Sequence, residues 1–244
     1  MRLLLLAGTM EARQLAGALA NEPRVTVIAS LAGATRTPRT LGVATRIGGF
    51  GGAEGFGDFL QREGIRAVLD ATHPFAADMS HRSARVCHDL GVPYMQFLRP
   101  ACMPAPGDRW TFLNTEEDAA RHIPEGARVF VATGRQTLQR YANMTGRYMI
   151  CRQIEQSEGP FPLDQGYFLN SRPPFSLESE TIMLRRLEID WLLVKNSGGP
   201  ASRAKLDAAR RLSLPVAMIR RPLQPEGPKL ETVAAALAWV RRQI

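Results

Sequence analysis

From the first residue onward, short apolar runs alternate with segments of helical period, and no other feature of the chain restricts its fold more tightly. Apolar runs that read as strands are Arg2 to Leu6, Val25 to Ala29, Val43 to Ile47, Ala67 to Asp70 and Tyr94 to Leu98. Between them lie helical patterns at Met10 to Ala20, Ala53 to Arg62 and Ala76 to Leu90. A β-α-β order of this kind demands a parallel sheet with helices on its faces, because parallel neighbours need a crossover between them. The fold class is therefore α/β.

The 244 residues suffice for two domains of about 100 to 150 residues each. Three prolines and a glycine interrupt all periodicity in "RPACMPAPGDRW", residues 99 to 110, and the boundary is placed there: residues 1–100 as one domain, 101–244 as the other. Beyond the break, strands are expected at Val129 to Ala132, Tyr148 to Cys151, Trp191 to Val194 and Pro215 to Ile219. Helices are expected at Thr115 to His122, Gln136 to Asn143, Leu177 to Leu187, Ala201 to Leu212 and Leu230 to Gln243, with a long loop from Gln156 to Phe175. The halves echo each other: "IRAVLDATHPFA" from Ile65 and "IDWLLVKNSGGP" from Ile189 each run from a strand into a polar loop. A helix and a P-x5-R-P segment follow in both, which reads as one unit used twice; chance likeness between two β-α-β units is the alternative.

Composition narrows the class further. With 45% hydrophobic and 22% charged residues the chain is globular, neither disordered nor fibrous. The opening leucines are too few for a signal-peptide core and are followed at once by Glu11 and Arg13. No apolar stretch reaches the roughly 18 residues of a membrane span, so a cytoplasmic location without membrane partners is expected. Cys87, Cys102 and Cys151 are odd in number and widely spaced, which suits inert thiols rather than disulfides or zinc. The net charge of +8 is scattered, without the basic runs of a nucleic-acid binder, and points instead to a small polyanionic ligand.

Five strand-to-loop corners could carry chemistry. In "LLLLAGTMEARQLA" a strand turns through Gly8 into a helix behind Thr9. Unpaired N–H groups and a glycine together suit a pyrophosphate, although the pattern is not G-x-G-x-x-G and Thr9 also reads as a plain N-cap. The next strand end carries Ser30, then Thr35, Arg36 and Arg39, and no acid to bind ribose hydroxyls. That favours NADPH, with Arg36 on its 2'-phosphate, over NADH; a solvated basic loop is the alternative. Gly48 and Gly49, continued by Gly51 and Gly52, either admit a ligand close to the backbone or make a flexible loop. In "DATHPFA", Thr72 and His73 stand at a strand's carboxyl end, where His73 either faces a cofactor or caps its own helix. In "KNSGGPASRAKLDAA", Lys195, Asn196, Ser197 and Gly198 precede a helix N-terminus fit for a substrate carboxylate, and Arg135 of "ATGR" can reach an anion. No catalytic residue is assigned, no metal is expected, and no P-loop pattern precedes Lys195.

Taken together, "AGTMEARQLA", "DATHPFA", "RP" at 99 and 100, "ATGR", "KNSGG" with "KLDAA" and the closing "IRRP" resemble the precorrin-6A reductase family of cobalamin biosynthesis. The resemblance spans nearly the whole chain. It implies two Rossmann-like domains with the active site between them and NADPH-dependent conversion of precorrin-6A to precorrin-6B. The substrate would be a ring-contracted tetrapyrrole rich in carboxylates, metal-free or containing cobalt. By that resemblance Gly8, Thr9, Ser30, Arg36, Thr72 and His73 belong to the cofactor side and Lys195 to Gly198 to the substrate side. Ala7 stands where family members often have the first glycine of Gly-Gly-Thr. Two rivals remain at this point. A reductase or epimerase of another carboxylated metabolite would usually carry Tyr-x-x-x-Lys, which none of the four tyrosines begins; a non-enzymatic nucleotide or nucleic-acid binding module would bind without oxidising NADPH.

Overall fold

The computed structural model describes residues 1–33, 40–154 and 159–244. Arg36, with Thr35 and Arg39, lies outside the described residues. The chain divides into two compact units, Met1–Pro100 with Pro222–Ile244, and Ala101–Arg221.

The first unit contains β1 (Arg2–Leu6), α1 (Met10–Leu19), β2 (Thr26–Leu31), β3 (Ala44–Ile47), α2 (Gly52–Arg62), β4 (Ala67–Asp70), α3 (Ala77–Asp89) and β5 (Tyr94–Phe97). The second contains β6 (Arg109–Leu113), β7 (Arg128–Ala132), β8 (Tyr148–Gln153), β9 (Gly166–Asn170), α4 (Leu177–Arg186), β10 (Trp191–Lys195), α5 (Pro200–Arg211) and β11 (Pro215–Ile219). It also has 3₁₀ helices at Glu117–Arg121 and Arg135–Tyr141. The chain then returns to the first unit with β12 (Lys229–Leu230) and α6 (Val233–Arg241).

The opening leucines show why such a run becomes a buried strand. Side chains alternate between the faces of a strand, so a strand covered on both faces must be apolar at every position. Leu3 and Leu5 enter a cluster with Leu15 and Leu19 of α1 and Trp239 and Val240 of α6. Leu4 and Leu6 enter another with Phe56 and Leu60 of α2 and Val86 and Cys87 of α3. Each fully buried leucine contributes about 2 kcal/mol. Helix α1 buries Ala12, Leu15, Ala16 and Leu19, the stripe of an amphipathic helix. In the second unit Phe130, Ile150, Leu192 and Val194 of the sheet pack with Leu184 of α4 and Leu206 of α5.

Both sheets are six-stranded and every pairing is parallel. Their orders, β3-β2-β1-β4-β5-β12 and β9-β8-β7-β10-β11-β6, are the same arrangement, that of a Rossmann sheet. The sixth strand of each sheet comes from the segment that follows the other sheet's fifth: β6 follows β5 yet pairs with β11, and β12 follows β11 yet pairs with β5. The flanking helices repeat as well, α1 against α6 and α2 against α3 in one unit, the two 3₁₀ helices together and α4 against α5 in the other.

Three expectations need correction. Residues 101–244 are not one domain, because β12 pairs with Gln96 and Phe97 of β5 and α6 joins the core under β1. The Pro- and Gly-rich stretch from Gln156 to Phe175 contains β9, whose five residues "GYFLN" pair with β8. The break at 99–110 ends inside β6, where Arg109 and Trp110 pair with Pro215 and Val216. Among the described residues no helix is long and apolar enough to cross a membrane.

Candidate functional site

In each sheet the strand order reverses beside the first strand, and in open α/β sheets ligands bind outside the carboxyl ends of the strands at that point. In the first unit this is the gap between β1 and β4. Gly8 leaves β1 with φ of 141°, and a side chain there would meet no atom within 4 Å, so main chain borders open space. Thr9 caps α1: its Oγ1 accepts the Ala12 N–H at 3.1 Å and donates to the Ala71 carbonyl at 2.8 Å, tying the β1 and β4 loops together. The first turn of α1 is thereby aimed past the sheet edge with its remaining N–H groups outward. Glu11 in that turn does not repel an anion unopposed, because Arg99 of the "RP" motif holds its carboxylate at 2.7 Å.

Asp70, fully buried at the end of β4, organises the neighbouring loop. Its Oδ1 accepts from the Thr72 N–H (3.0 Å) and hydroxyl (2.7 Å), and its Oδ2 accepts from the Tyr94 hydroxyl at 2.7 Å. Burial, then the charge of Asp70, pushes the Tyr94 phenol far above its ordinary value, so it serves as a permanent donor. His73 Nδ1 accepts the Phe75 N–H at 3.3 Å, so the ring steadies its own turn and a neutral imidazole carries its proton on Nε2.

Ser30 is buried at the end of β2, where Arg46 of β3 stands directly opposite in the register. Arg46 donates through Nη1 to Ser30 Oγ and the Gly48 carbonyl, both at 2.8 Å, and through Nη2 to the Gly49 carbonyl at 2.8 Å. Gly48 has φ of 110° and open space where a side chain would project. Gly8, Thr9, Ser30, Gly48, Gly49, Thr72 and His73 thus line the carboxyl edge of one sheet. Main chain bordering open space beside a capped helix N-terminus fits a phosphate-bearing dinucleotide.

The matching edge of the second unit is cationic. Lys195 ends β10, and its ammonium lies 3.6 Å from Glu116 Oε1 and 3.5 Å from the Thr137 hydroxyl. Arg140 holds the other oxygen of Glu116 at 3.1 Å. Burial pulls the Lys195 pKa down and Glu116 acts against that pull. Asn196 is committed to structure: its amide accepts the Cys102 N–H at 2.8 Å and donates to the Cys102 carbonyl at 3.0 Å. Ser197 Oγ bonds Ser202 Oγ at 2.7 Å, and Gly198 and Gly199 take φ of 67° and 74° as the chain turns into α5. Arg221 of the closing motif bonds the carbonyls of Asn196 (2.7 Å) and Ser197 (3.0 Å). Arg135, exposed, opens a 3₁₀ helix behind Gly134. Its charge partly opposes the burial that drives the Cys151 thiol to about 12.

Sequence reasoning missed Arg46, Glu116 and Tyr94, and it quoted Arg221 within the closing motif without giving it a role. Arg46 had a usable signal, a lone arginine in a short strand beside a serine strand end; the others act across long stretches of chain.

The model of the family described as precorrin-6x reductase CbiJ/CobK matches residues 2–241. A precorrin-6A reductase of Rhodococcus erythropolis is 42% identical over 241 residues, covering 98% of this chain and 97% of the relative. One of Rhodobacter capsulatus is 40% identical over 240 residues, covering 98% and 95%. The solved structure of a CobK precorrin-6A reductase superposes with a TM-score of 0.95 at 39% identity, covering 100% of this chain and 97% of that one. With its two like-ordered parallel sheets and the motifs at their carboxyl ends, the chain belongs to the precorrin-6x reductase family.

Proposed function

We propose that this protein is the NADPH-dependent precorrin-6A reductase of cobalamin biosynthesis, converting precorrin-6A to precorrin-6B. The observation that carries the reading is the contrast between the two like-ordered sheets. One presents Gly8, a capped helix N-terminus and Ser30 at its carboxyl edge; the other presents Lys195 and Arg135. Full-length similarity to curated precorrin-6A reductases supports it.

In this reading the first turn of α1 receives the cofactor's pyrophosphate, with glycine in place of a side chain at the point of closest approach. Ser30 and Arg36 take the 2'-phosphate, while Gly48, Gly49, Thr72 and His73 border the rest of the dinucleotide. Bound NADPH supplies a hydride to a polarised double bond of the macrocycle. Lys195, Arg135 and the Ser197-Gly198 corner ahead of α5 hold substrate carboxylates, with Asn196 and Arg221 fixing that corner's main chain. Such a site works mainly by positioning. A cytoplasmic setting is in keeping with three buried free thiols.

The test mixes purified protein with NADPH and precorrin-6A and follows both absorbance spectra. Nicotinamide absorbance should fall in step with the change in the macrocycle spectrum; loss of neither refutes the reading. Arg36→Ala should weaken NADPH about ten- to a hundredfold and leave NADH nearly untouched, and equal losses would remove Arg36 from the site.

A further inference from the structure

We propose that Arg46 makes this protein select the phosphorylated dinucleotide, by donating to the 2'-phosphate on the cofactor's adenosine. The inference rests on the NADPH reading above and adds a residue that the motifs did not supply.

Place comes first. In a sheet of this strand order the adenosine ribose lies at the carboxyl end of the second strand. Arg46 is the cross-strand partner of Ser30, the residue at that end. Its guanidinium is already fixed: three bonds of 2.8 Å tie it to Ser30 Oγ and the Gly48 and Gly49 carbonyls, and its Cζ lies 3.9 Å from the Phe50 ring centroid. Two of its five N–H donors, Nε–H and one on Nη2, have no acceptor among the described residues. A guanidinium fixed through three donors with two to spare pays little entropy to grip a phosphate.

Charge points the same way. Among the described residues no carboxylate pairs with Arg46, whereas Arg2, Arg24, Arg62, Arg99 and Arg241 of the same unit each have one. Partial burial and the neighbouring Arg62 both weigh against its charged form. The negative charge of a bound dianion would act against both effects. If Arg46 were only a latch for the glycine loop, its removal would disturb every dinucleotide alike, and that difference makes the proposal testable.

The experiment titrates wild type, Arg46→Gln and Arg46→Lys with NADPH and NADH by nicotinamide fluorescence, and with 2',5'-ADP and 5'-AMP by calorimetry. Unfolding midpoints establish that each variant is folded. Arg46→Gln should weaken NADPH and 2',5'-ADP by about ten- to a hundredfold and weaken NADH and 5'-AMP far less. Arg46→Lys, which keeps the charge, should recover part of the loss. Equal weakening of phosphorylated and unphosphorylated ligands, or none, overturns the proposal while the NADPH reading stands. A wild type that binds neither dinucleotide overturns both.

Discussion

At the switch point of the first sheet the chain leaves β1 through Gly8 and enters a full α-helix behind a side-chain cap. At the matching point of the second sheet it leaves β7 through Gly134 and enters a 3₁₀ helix at Arg135 with no side-chain cap. The first corner presents main-chain N–H groups on a helix dipole, a surface that grips phosphate through the backbone. The second presents cationic side chains. The loops after β4 and β10 differ in the same sense, one built around the carboxylate of Asp70, the other around the amide of Asn196 and the ammonium of Lys195. One frame used twice therefore presents two corner chemistries, and the corner residues rather than the topology make the difference.

The largest effect that would sharpen this contrast is on stability. Asp70→Ala leaves the Tyr94 hydroxyl and the Thr72 donors unmatched and should cost about 3 kcal/mol, whereas Asn196→Ala, which strands one donor and one acceptor of Cys102, should cost about 2 kcal/mol. Denaturant midpoints read both, and the reverse order would mean that the Asn196 corner is the more firmly built. Next comes Lys195→Ala, for which kcat/KM should fall about ten- to a hundredfold. Unchanged steady-state kinetics would remove the second unit's corner from substrate recognition. Thr9→Val should then cost about 1 kcal/mol through the lost cap. Arg135→Ala at the uncapped corner should stay within about 0.5 kcal/mol; thermal melts of the two variants make the comparison.

The smallest effect concerns a property common to both units. Burial drives the Cys87 thiol, in the first, and Cys151, in the second, to about 12. The folded protein then keeps protons that the unfolded chain releases near pH 9, so the stability these thiols contribute is complete below pH 9 and lost as pH rises towards 12. Replacing either cysteine with alanine should flatten that alkaline decline in urea unfolding, and an unaltered slope would show that the thiols do not titrate there.

Local pattern made much of this fold legible. The runs at Arg2, Ala67 and Pro215 appear as strands with the expected bounds, because a strand buried on both faces is apolar at all its inner positions. Sheet membership was not legible. β12 is two residues long and is recruited by β5 from the far end of the chain, and no local period encodes such a partner. The corners of the site could be read because strand ends precede them. Apart from Arg46, their supports could not, since Tyr94 meets Asp70 across 24 positions and Asn196 meets Cys102 across 94. Asn196 shows the cost: its type and place suggest a ligand contact, yet its amide is filled by backbone.

That the first corner takes the dinucleotide and the second does not is tested most directly by calorimetric titration of NADPH into wild type, Gly8→Ala and Lys195→Ala. At Gly8 a side chain would strain φ of 141° and enter the open space at the end of β1. Binding should therefore weaken sharply in Gly8→Ala and match wild type in Lys195→Ala. Full binding in Gly8→Ala together with its loss in Lys195→Ala would contradict the account.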